Sequence, residues 1–148
     1  MTELHTEIAI EAPADVVWSI LTDVEHWSEW NPFLTQGSGV LAPGAKLRVT
    51  FQPPGGKPMT LRPIVLAVDP PRELRWRGRL LMPGIFTGEH AFLLESTSST
   101  STRFVQSERF TGILVPFLKK MLTGPTQQGF LAMNEALKTR AEARSPDR

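Results

Sequence analysis

The sequence predicts an α+β domain in which an antiparallel sheet of about seven strands packs against a long C-terminal helix. From Phe33 to Phe110, apolar and polar residues alternate in short runs broken by Gly and Pro, which is typical of strands joined by turns. From Leu114 to about Ala143, the chain is instead rich in Leu, Met, Ala, Lys, Glu and Gln, which are good helix formers. An antiparallel sheet buries one face, and a long helix laid across that face is its simplest cover.

One strand and two short helices precede the main run of strands. The segment from Leu4 to Glu11 alternates in polarity and predicts a half-buried strand. Pro13 suits the start of a helix, where its missing N–H costs nothing, and the apolar segment from Ala14 to Thr22 follows it. A second short helix is expected to begin near Asp23 and to end at Asn31-Pro32.

The remaining strands are separated by turn residues. They are predicted at Phe33 to Leu41, Lys46 to Gln52, Met59 to Val68, Leu74 to Leu80, Phe86 to Glu95 and Arg103 to Thr111. Pro53-Pro54-Gly55-Gly56 predicts a hairpin turn. The apolar parity changes around Pro63, which indicates a bulge within that strand. The Ser/Thr-only segment from Ser96 to Thr102 is expected to be a solvated, mobile loop.

The C-terminal helix is predicted to have two parts. An apolar stripe of Phe117, Leu118, Met121 and Leu122 is rotated relative to a second stripe of Phe130, Met133, Asn134 and Leu137. Gly124-Pro125 lies between the stripes, and an internal Pro removes a helical hydrogen bond. We therefore expect two helical segments that meet at a bend, with Leu114–Leu122 capping one end of a cavity beneath the sheet and Thr126–Ala143 lying along the sheet.

Composition bounds the class of protein. The 148 residues predict one domain over 1–148, with a disordered tail at about 144–148. A net charge of +1 gives no general attraction to nucleic acid. The absence of Cys excludes disulfides, and no apolar run is long enough to span a membrane, so a cytoplasmic protein without integral membrane association is expected. We expect a monomer or a weak homodimer.

Several segments together resemble a known superfamily. The order of elements, with EAPADVVWSILTD, HWSEWNPF, GEHAFLLE, FTG and FLAMNEALK, is similar to the START-like (SRPBCC) superfamily. Within it, the chain is most similar to the polyketide cyclase/dehydrase-like proteins and to a related group that resembles a carbon monoxide dehydrogenase component. The most specific local match is Trp30-Asn31-Pro32-Phe33, supported by Met133-Asn134.

The resemblance implies a helix-grip fold, in which a curved sheet of about seven strands wraps around the C-terminal helix and encloses an apolar cavity. It also implies that the partner is a small hydrophobic molecule of lipid, polyketide or aromatic type. Only some members of the superfamily catalyse a reaction. No cofactor and no metal is expected, because the three His residues are scattered and lack the spacing of metal ligands.

Strand parity selects the residues that would face such a cavity. It places three polar side chains, those of His90, Gln106 and Glu108, on one face of two neighbouring strands. The aromatic and apolar residues that share this face are Trp76, Leu80, Phe86, Gly88, Phe92, Leu94, Phe104 and Phe110. Apolar walls with a few polar groups are typical of a small-molecule site. The three polar groups would stabilise one another, orient a ligand, or, for His90 and Glu108, act as general acid and base.

Other residues leave two interpretations open. Trp27, Trp30 and Phe33 either pack between helix and sheet or form the cavity entrance. Met121 and Met133 suit either an adaptable cavity wall or the core. The alternating Arg75, Arg77 and Arg79 form either a solvated outer face or a binding stripe for an anionic partner.

The sequence therefore supports three functions in decreasing order. The first is binding or carriage of a hydrophobic molecule, with Trp30, Phe33, Trp76, Phe86, His90, Phe92, Gln106, Glu108, Phe110, Met121 and Met133 as the candidate ligand-binding residues. The second is a cyclase/dehydratase-type enzyme that uses His90 and Glu108. The third is an accessory protein whose partner is another protein. No G-x-S-x-G, Walker A, dinucleotide or H-E-x-x-H motif is present.

Overall fold

The structure, a computed structural model, describes residues 2–80 and 82–144, without the side chain of residue 80. Its strands are β1 (Thr2–Ile10), β2 (Leu34–Ser38), β3 (Arg48–Phe51), β4 (Met59–Leu61), β5 (Ile64–Asp69), β6 (Glu73–Leu80), β7 (Phe86–Ser98) and β8 (Ser101–Thr111). Its helices are α1 (Ala14–Leu21), a 3₁₀ helix (Val24–Glu29), α2 (Val115–Met121), a π-helical turn (Leu122–Thr126) and α3 (Gln127–Arg144). The predicted tail at residues 145–148 lies outside the described residues.

The strands form two antiparallel sheets. The larger has the order β1-β8-β7-β6-β5 and the smaller has the order β2-β3-β4. The segment before β3 links them, because the backbone N–H of Leu47 donates to the carbonyl of Pro63 and the N–H of Val65 donates to that of Ala45. The α+β class, the antiparallel pairing and the long C-terminal helix are as the sequence predicts, and the strand count is close to the expected seven.

The strand predicted from Met59 to Val68 is wrong as a single element. It divides into β4 and β5, and these pair in different sheets: Leu61 lies opposite Val49, whereas Ile64 lies opposite Arg77. Pro63 is buried between them and has no N–H for a continuous ladder. The parity change in the sequence therefore marks a break at which the chain passes from one sheet to the other. An irregularity in the register of β5 against β6 follows it, between Val65 and Ala67.

The loop predicted from Ser96 to Thr102 is mostly strand. β7 and β8 extend as far as Ser98 and Ser101 and leave a tight turn between them. Hydroxyl groups bond to one another there, with Ser98 Oγ 2.7 Å from Ser101 Oγ. Thr102 is buried and its hydroxyl donates to the carbonyl of Ala12 at 2.8 Å. Pairing of the two longest strands thus overrides the low-complexity composition.

The C-terminal helix departs from regular α-helical geometry at the position that the sequence predicts. Gly124 and Pro125 lie in the π-helical turn between α2 and α3. A π turn is a known way of accommodating a disrupted hydrogen-bond ladder. The second predicted stripe is confirmed, because Phe130, Met133 and Leu137 are fully buried. The first stripe is wrong at Phe117, which is 83% exposed.

The core lies between the larger sheet, α1 and α3. Every second residue of β1 and β8 faces it, including Leu4, Ile10 and Phe104. The C-terminal half of α3 is tied to β1, because Nζ of Lys138 donates to the backbone carbonyl of Ala9 at 3.1 Å. None of the helices in the described part of the chain is long and apolar enough to cross a membrane.

Candidate functional site

A cavity of about 360 Å³ lies between the two sheets and the segment that joins α2 to α3. Its walls are mostly apolar and include Phe33, Phe51, Leu61, Trp76, Phe86, Phe110, Leu118 and Leu122. The mouth of the cavity is marked by lining residues that are also exposed to solvent. These are residues 54–57 of the β3–β4 turn, Met59, Arg79 and Met121. A cavity of this size, with few polar groups, is typical of sites for small molecules.

Two polar side chains meet on the wall formed by β7 and β8. His90 lies directly opposite Glu108 in the strand register. Nδ1 of His90 is 3.2 Å from Oε1 of Glu108, and the His90 side chain is 4% exposed while that of Glu108 is 16% exposed. Both residues line the cavity. The predicted placement of this pair on one face of neighbouring strands agrees with the structure.

A buried hydrogen-bond network extends from His90 to the far side of the core. Nε2 of His90 is 2.9 Å from Oε1 of Gln106. Gln106 Nε2 donates to Oδ1 of Asn134 at 2.9 Å, and Asn134 Nδ2 donates to the hydroxyl of Thr6 at 2.9 Å. The Thr6 hydroxyl donates in turn to the backbone carbonyl of Gln106. The network therefore ties β7, β8, β1 and α3 together behind the cavity.

This network assigns the protonation of the His90 ring. The carbonyl of Phe130 can only accept a hydrogen bond, so the Gln106 atom 3.5 Å from it is the amide nitrogen. Oε1 of Gln106 then faces His90 and must accept, which places a proton on Nε2 of His90. The remaining ring nitrogen, Nδ1, faces Glu108. A hydrogen bond between Nδ1 and the Glu108 carboxyl group needs one proton, which is carried either by Nδ1 or by Glu108. The pair can therefore hold a proton or transfer one.

One glycine makes room for the Glu108 carboxylate. Gly88 is paired with Gly78 on the neighbouring strand, and both line the cavity. A β-carbon at residue 88 would collide with Oε2 of Glu108, whereas one at residue 78 would meet only Cδ1 of Leu61 at 3.7 Å. The Glu108 carboxylate can therefore occupy its position because residue 88 has no side chain.

The Trp30-Asn31-Pro32-Phe33 segment contributes Phe33 to one wall of the cavity. Oδ1 of Asn31 accepts from the backbone N–H groups of Phe33 at 3.0 Å and Leu34 at 2.9 Å, which turns the chain into β2. Phe33 is held against Phe130, with ring centroids 5.5 Å apart. A β-carbon on Gly129 of α3 would collide with the Phe33 ring, so this glycine allows the close approach.

The structure divides the eleven predicted ligand-binding residues into two groups. Seven line the cavity: Phe33, Trp76, Phe86, His90, Glu108, Phe110 and Met121. The other four, Trp30, Phe92, Gln106 and Met133, are not among the described residues that line it. Phe92, Gln106 and Met133 are fully buried, because α3 covers that part of the sheet with the side chain of Phe130. Trp30 is partly exposed and packs against the core.

Sequence reasoning missed the contributions of the β3–β4 turn, Leu61 and Thr126, whereas Leu118 belongs to the segment that was expected to cap the cavity. Strand parity placed Gly88 on the inward face without identifying its role, and Gly78 was missed. A signal exists for both, because glycines on the inward parity of two adjacent strands leave room on that face. The interpretation in which Trp27 and Phe33 form the cavity entrance is wrong, because both side chains are buried. Trp27 donates its ring N–H to the carbonyl of Leu21 at 2.9 Å and belongs to the core.

The arginine stripe is divided. Arg75 bonds to Glu73 at 2.7 Å and to Glu89 at 3.0 Å, and these hydrogen bonds raise the pKa of Arg75 above its ordinary value. Arg77 has a buried Nε without a hydrogen-bond partner among the described residues. Arg79 is exposed and lies at the mouth of the cavity. The three residues thus do not form one uniform surface.

Within the described ranges 2–80 and 82–144, no group of three or more His, Cys, Asp or Glu residues is placed to hold a metal ion. The chemistry available at the cavity from these residues is that of hydrogen bonding and proton transfer by His90 and Glu108.

Comparisons with known proteins agree with the observed architecture. A family model described as polyketide cyclase / dehydrase and lipid transport matches residues 1–142. The chain resembles the crystal structure of the Zhui aromatase/cyclase from Streptomyces sp. R1128 with a TM-score of 0.79 and 19% identity, over 97% of this chain and 94% of that one. A comparison with curated protein sequences gave no significant match.

Two further solved structures show the same fold. A START superfamily protein from Mycobacterium smegmatis matches with a TM-score of 0.72 and 20% identity, over 95% of this chain and 97% of that one. A norcoclaurine synthase point mutant from Thalictrum flavum, solved with a transition-state analogue, matches with a TM-score of 0.71 and 17% identity, over 95% and 93% of the two chains. These similarities establish the START-like helix-grip architecture.

Proposed function

The chain belongs to the polyketide cyclase/dehydrase and lipid transport family, and on that basis we propose that it binds and carries a small hydrophobic molecule with a ring or acyl portion. The observation that supports this most directly is the cavity itself. It is bounded by aromatic side chains from both sheets and has one polar pair, His90 and Glu108, on its wall. Burial of an apolar ligand against such walls supplies most of the binding free energy.

The polar pair would orient the ligand. A hydroxyl of the ligand can donate to Glu108, and a carbonyl can accept if the shared proton is on that carboxyl. The apolar surroundings strengthen such a bond, because water competes poorly for it there. We therefore expect a ligand with one hydroxyl or carbonyl near the β7–β8 wall and an apolar body that extends toward the mouth.

Tryptophan emission provides the test, since the chain has four Trp and no Tyr. Trp76 lines the cavity and contacts His90 with ring centroids 5.4 Å apart. Fatty acids, sterols, flavonoids or a hydrophobic dye should change the emission of the native protein and raise its melting temperature. Trp76→Phe should remove most of the emission change, whereas the control Trp18→Phe, on α1, should retain it. If all four probe types leave emission and melting temperature unchanged, ligand carriage is excluded.

A second candidate function is catalysis of a cyclisation or dehydration, favoured by the 3.2 Å contact of His90 with Glu108 at a cavity with an open mouth. In a dehydration, the Glu108 carboxylate would take a proton from a carbon next to a carbonyl. The electron pair of that C–H bond would form the C=C bond, and the leaving hydroxyl would depart with a proton from the His90–Glu108 pair as water.

Glu108→Gln separates the two functions, because it keeps the shape and removes the carboxylate. For a carrier, the variant should weaken binding of hydroxyl-bearing ligands and spare purely apolar ones. For an enzyme, turnover of a β-hydroxy ketone should be lost while its binding persists. The matched control is Glu89→Gln, one residue from His90 on the outer face, where Glu89 bonds to Arg75. Equal losses for polar and apolar ligands would assign Glu108 to folding instead.

The accessory-protein interpretation has less support. A filled interior would have favoured it, whereas the interior contains a cavity. Of the two surfaces that such a partner could use, the segment from Trp27 to Phe33 has both of those rings buried, and Arg75 of the arginine stripe is paired with Glu73 and Glu89.

A further inference from the structure

Exposed apolar side chains are concentrated around the cavity mouth. Among the described residues, seven large hydrophobic side chains are exposed. Val40 and Leu131 lie elsewhere, and the other five are Met59 (44%), Met82 (64%), Ile113 (66%), Phe117 (83%) and Met121 (43%). Exposed apolar groups that cluster at one place on a protein mark an interaction surface, whereas scattered ones need no explanation.

Backbone contacts show that these five belong to one end of the molecule. Met59 and Met121 both line the cavity at its mouth. The turn between β6 and β7 lies beside the start of α2, because the N–H of Ile113 donates to the carbonyl of Gly84 at 3.1 Å and the N–H of Leu114 donates to that of Ile85 at 3.1 Å. Met82, Ile113 and Phe117 are therefore neighbours, on the side of the mouth formed by α2.

The same end is cationic, although the whole chain has a net charge of only +1. Four exposed basic residues lie near the exposed apolar side chains: Lys57 in the β3–β4 turn, Arg79 on β6, and Lys119 and Lys120 on α2. The acidic side chain that lines the cavity, Glu108, is mostly buried on the inner wall beside His90. None of the four forms an ion pair with a described residue, whereas Arg72, at the opposite end of β6, is paired with Asp69 at 3.2 Å.

We propose that this end of the protein, defined by Met82, Ile113, Phe117, Lys119 and Lys120, docks reversibly on the surface of an anionic lipid bilayer. Large apolar side chains at the tips of two separate elements suit insertion into the boundary between headgroups and acyl chains. Unpaired lysines beside them suit attraction to anionic headgroups.

Docking in this orientation turns the cavity mouth toward the lipid, because Met59, Arg79 and Met121 lie at the same end. A hydrophobic ligand could then pass between bilayer and cavity without crossing water. This consequence rests on the proposed carrier function, whereas the docking itself does not require a ligand.

Co-sedimentation with vesicles tests the docking. The native protein should bind phosphatidylcholine vesicles that contain phosphatidylglycerol, should not bind vesicles of phosphatidylcholine alone, and should dissociate as salt is raised. The double variant Lys119→Gln/Lys120→Gln should bind roughly 30-fold more weakly, from the contribution of two cations near an anionic surface. Phe117→Ser should weaken binding by about tenfold or more. Because these side chains are exposed, the variants should melt as the native protein does.

The matched controls are Arg72→Gln and Leu131→Ser, which remove an exposed cation and an exposed apolar group outside the proposed surface. Both should retain vesicle binding. Failure to bind anionic vesicles, equal losses in the control variants, or binding to soluble polyglutamate or RNA but not to vesicles would overturn the proposal. Glu108→Gln distinguishes this surface from the cavity, since it should alter ligand binding and leave vesicle binding unchanged.

Discussion

The Glu108 carboxylate lies against the backbone of Gly88, so close that any β-carbon at residue 88 would collide with Oε2. The two residues are on adjacent strands, with Gly88 opposite Phe110 and Glu108 opposite His90. The position of the carboxylate at the cavity wall, and its contact with the His90 ring, therefore depend on a glycine two residues away from that histidine.

Gly88→Ala should displace the Glu108 side chain while the protein still folds, because the colliding atom is the far end of a flexible side chain. We expect weaker binding of ligands with a hydroxyl or carbonyl, by about tenfold for the loss of one hydrogen bond to a charged group. Gly78→Ala is the matched control, since its β-carbon would make only an ordinary contact with Leu61. Titration of both variants with one polar and one apolar ligand checks this. If the Gly88→Ala and Gly78→Ala variants bound the polar ligand with equal affinity, this prediction would be contradicted.

Asn134→Ala should destabilise the fold through the buried network. It leaves the Gln106 amide without its 2.9 Å acceptor and the Thr6 hydroxyl without its donor. An unsatisfied buried polar group costs about 1–3 kcal/mol, and urea unfolding measures this difference. Thr139→Ala, at an exposed position of α3, should change stability little. The nitrogen chemical shifts of His90 provide a second readout. Without Asn134 the Gln106 amide loses the acceptor that fixes its orientation, so the proton of the His90 ring should be less strictly confined to Nε2.

Glu7 should contribute to stability in a pH-dependent way. Its hydrogen bond to Arg103, 2.7 Å from Nη2 to Oε2, together with that to His5, lowers the pKa of Glu7 from 4.5 to about 2. Because the folded pKa is depressed, the contribution is present above about pH 4.5 and is lost as pH falls through about 2. Glu7→Gln should be slightly less stable than the native protein at neutral pH, and the difference should shrink on acidification. Both side chains are in contact with solvent, with exposed fractions of 44% for Glu7 and 41% for Arg103, so the effect should be small and should weaken with salt. A difference that grows toward low pH would contradict this assignment.

The segment α2 should open before α3. In α2 only Val115 is buried, whereas α3 buries Phe130, Met133 and Leu137 among others. Because few buried contacts resist local opening, amides of residues 114–122 should exchange hydrogen well before those of residues 130–137. If α2 gates the cavity, a bound ligand should slow exchange in the first segment more than in the second. Uniform protection along the whole helix, or equal slowing of both segments, would exclude the gate.

Strand parity was the most informative sequence signal for the site. It placed His90 and Glu108 on one face, and the register of β7 and β8 sets them opposite each other. Parity identifies which face of a strand is inward but not how deep the space above it is. Phe92 and Gln106 share the face with His90, yet both lie under α3 and are fully buried. The cavity begins only where α3 gives way to the π-helical turn and α2.

The sequence by itself determined the class of fold, the inward face of each long strand and the site of irregularity at Gly124-Pro125, because these depend on local periodicity and on backbone chemistry. Only the tertiary structure decided that the chain breaks at Pro63 to form two sheets, that the β3–β4 turn lies at the cavity mouth and that Gly88 makes room for Glu108. Each of these depends on contacts between residues that are distant in the chain. The cationic surface around the mouth has the same origin: Lys57, Arg79 and the pair Lys119 and Lys120 are distant in the chain and come together only after folding, so the total charge of +1 conceals it.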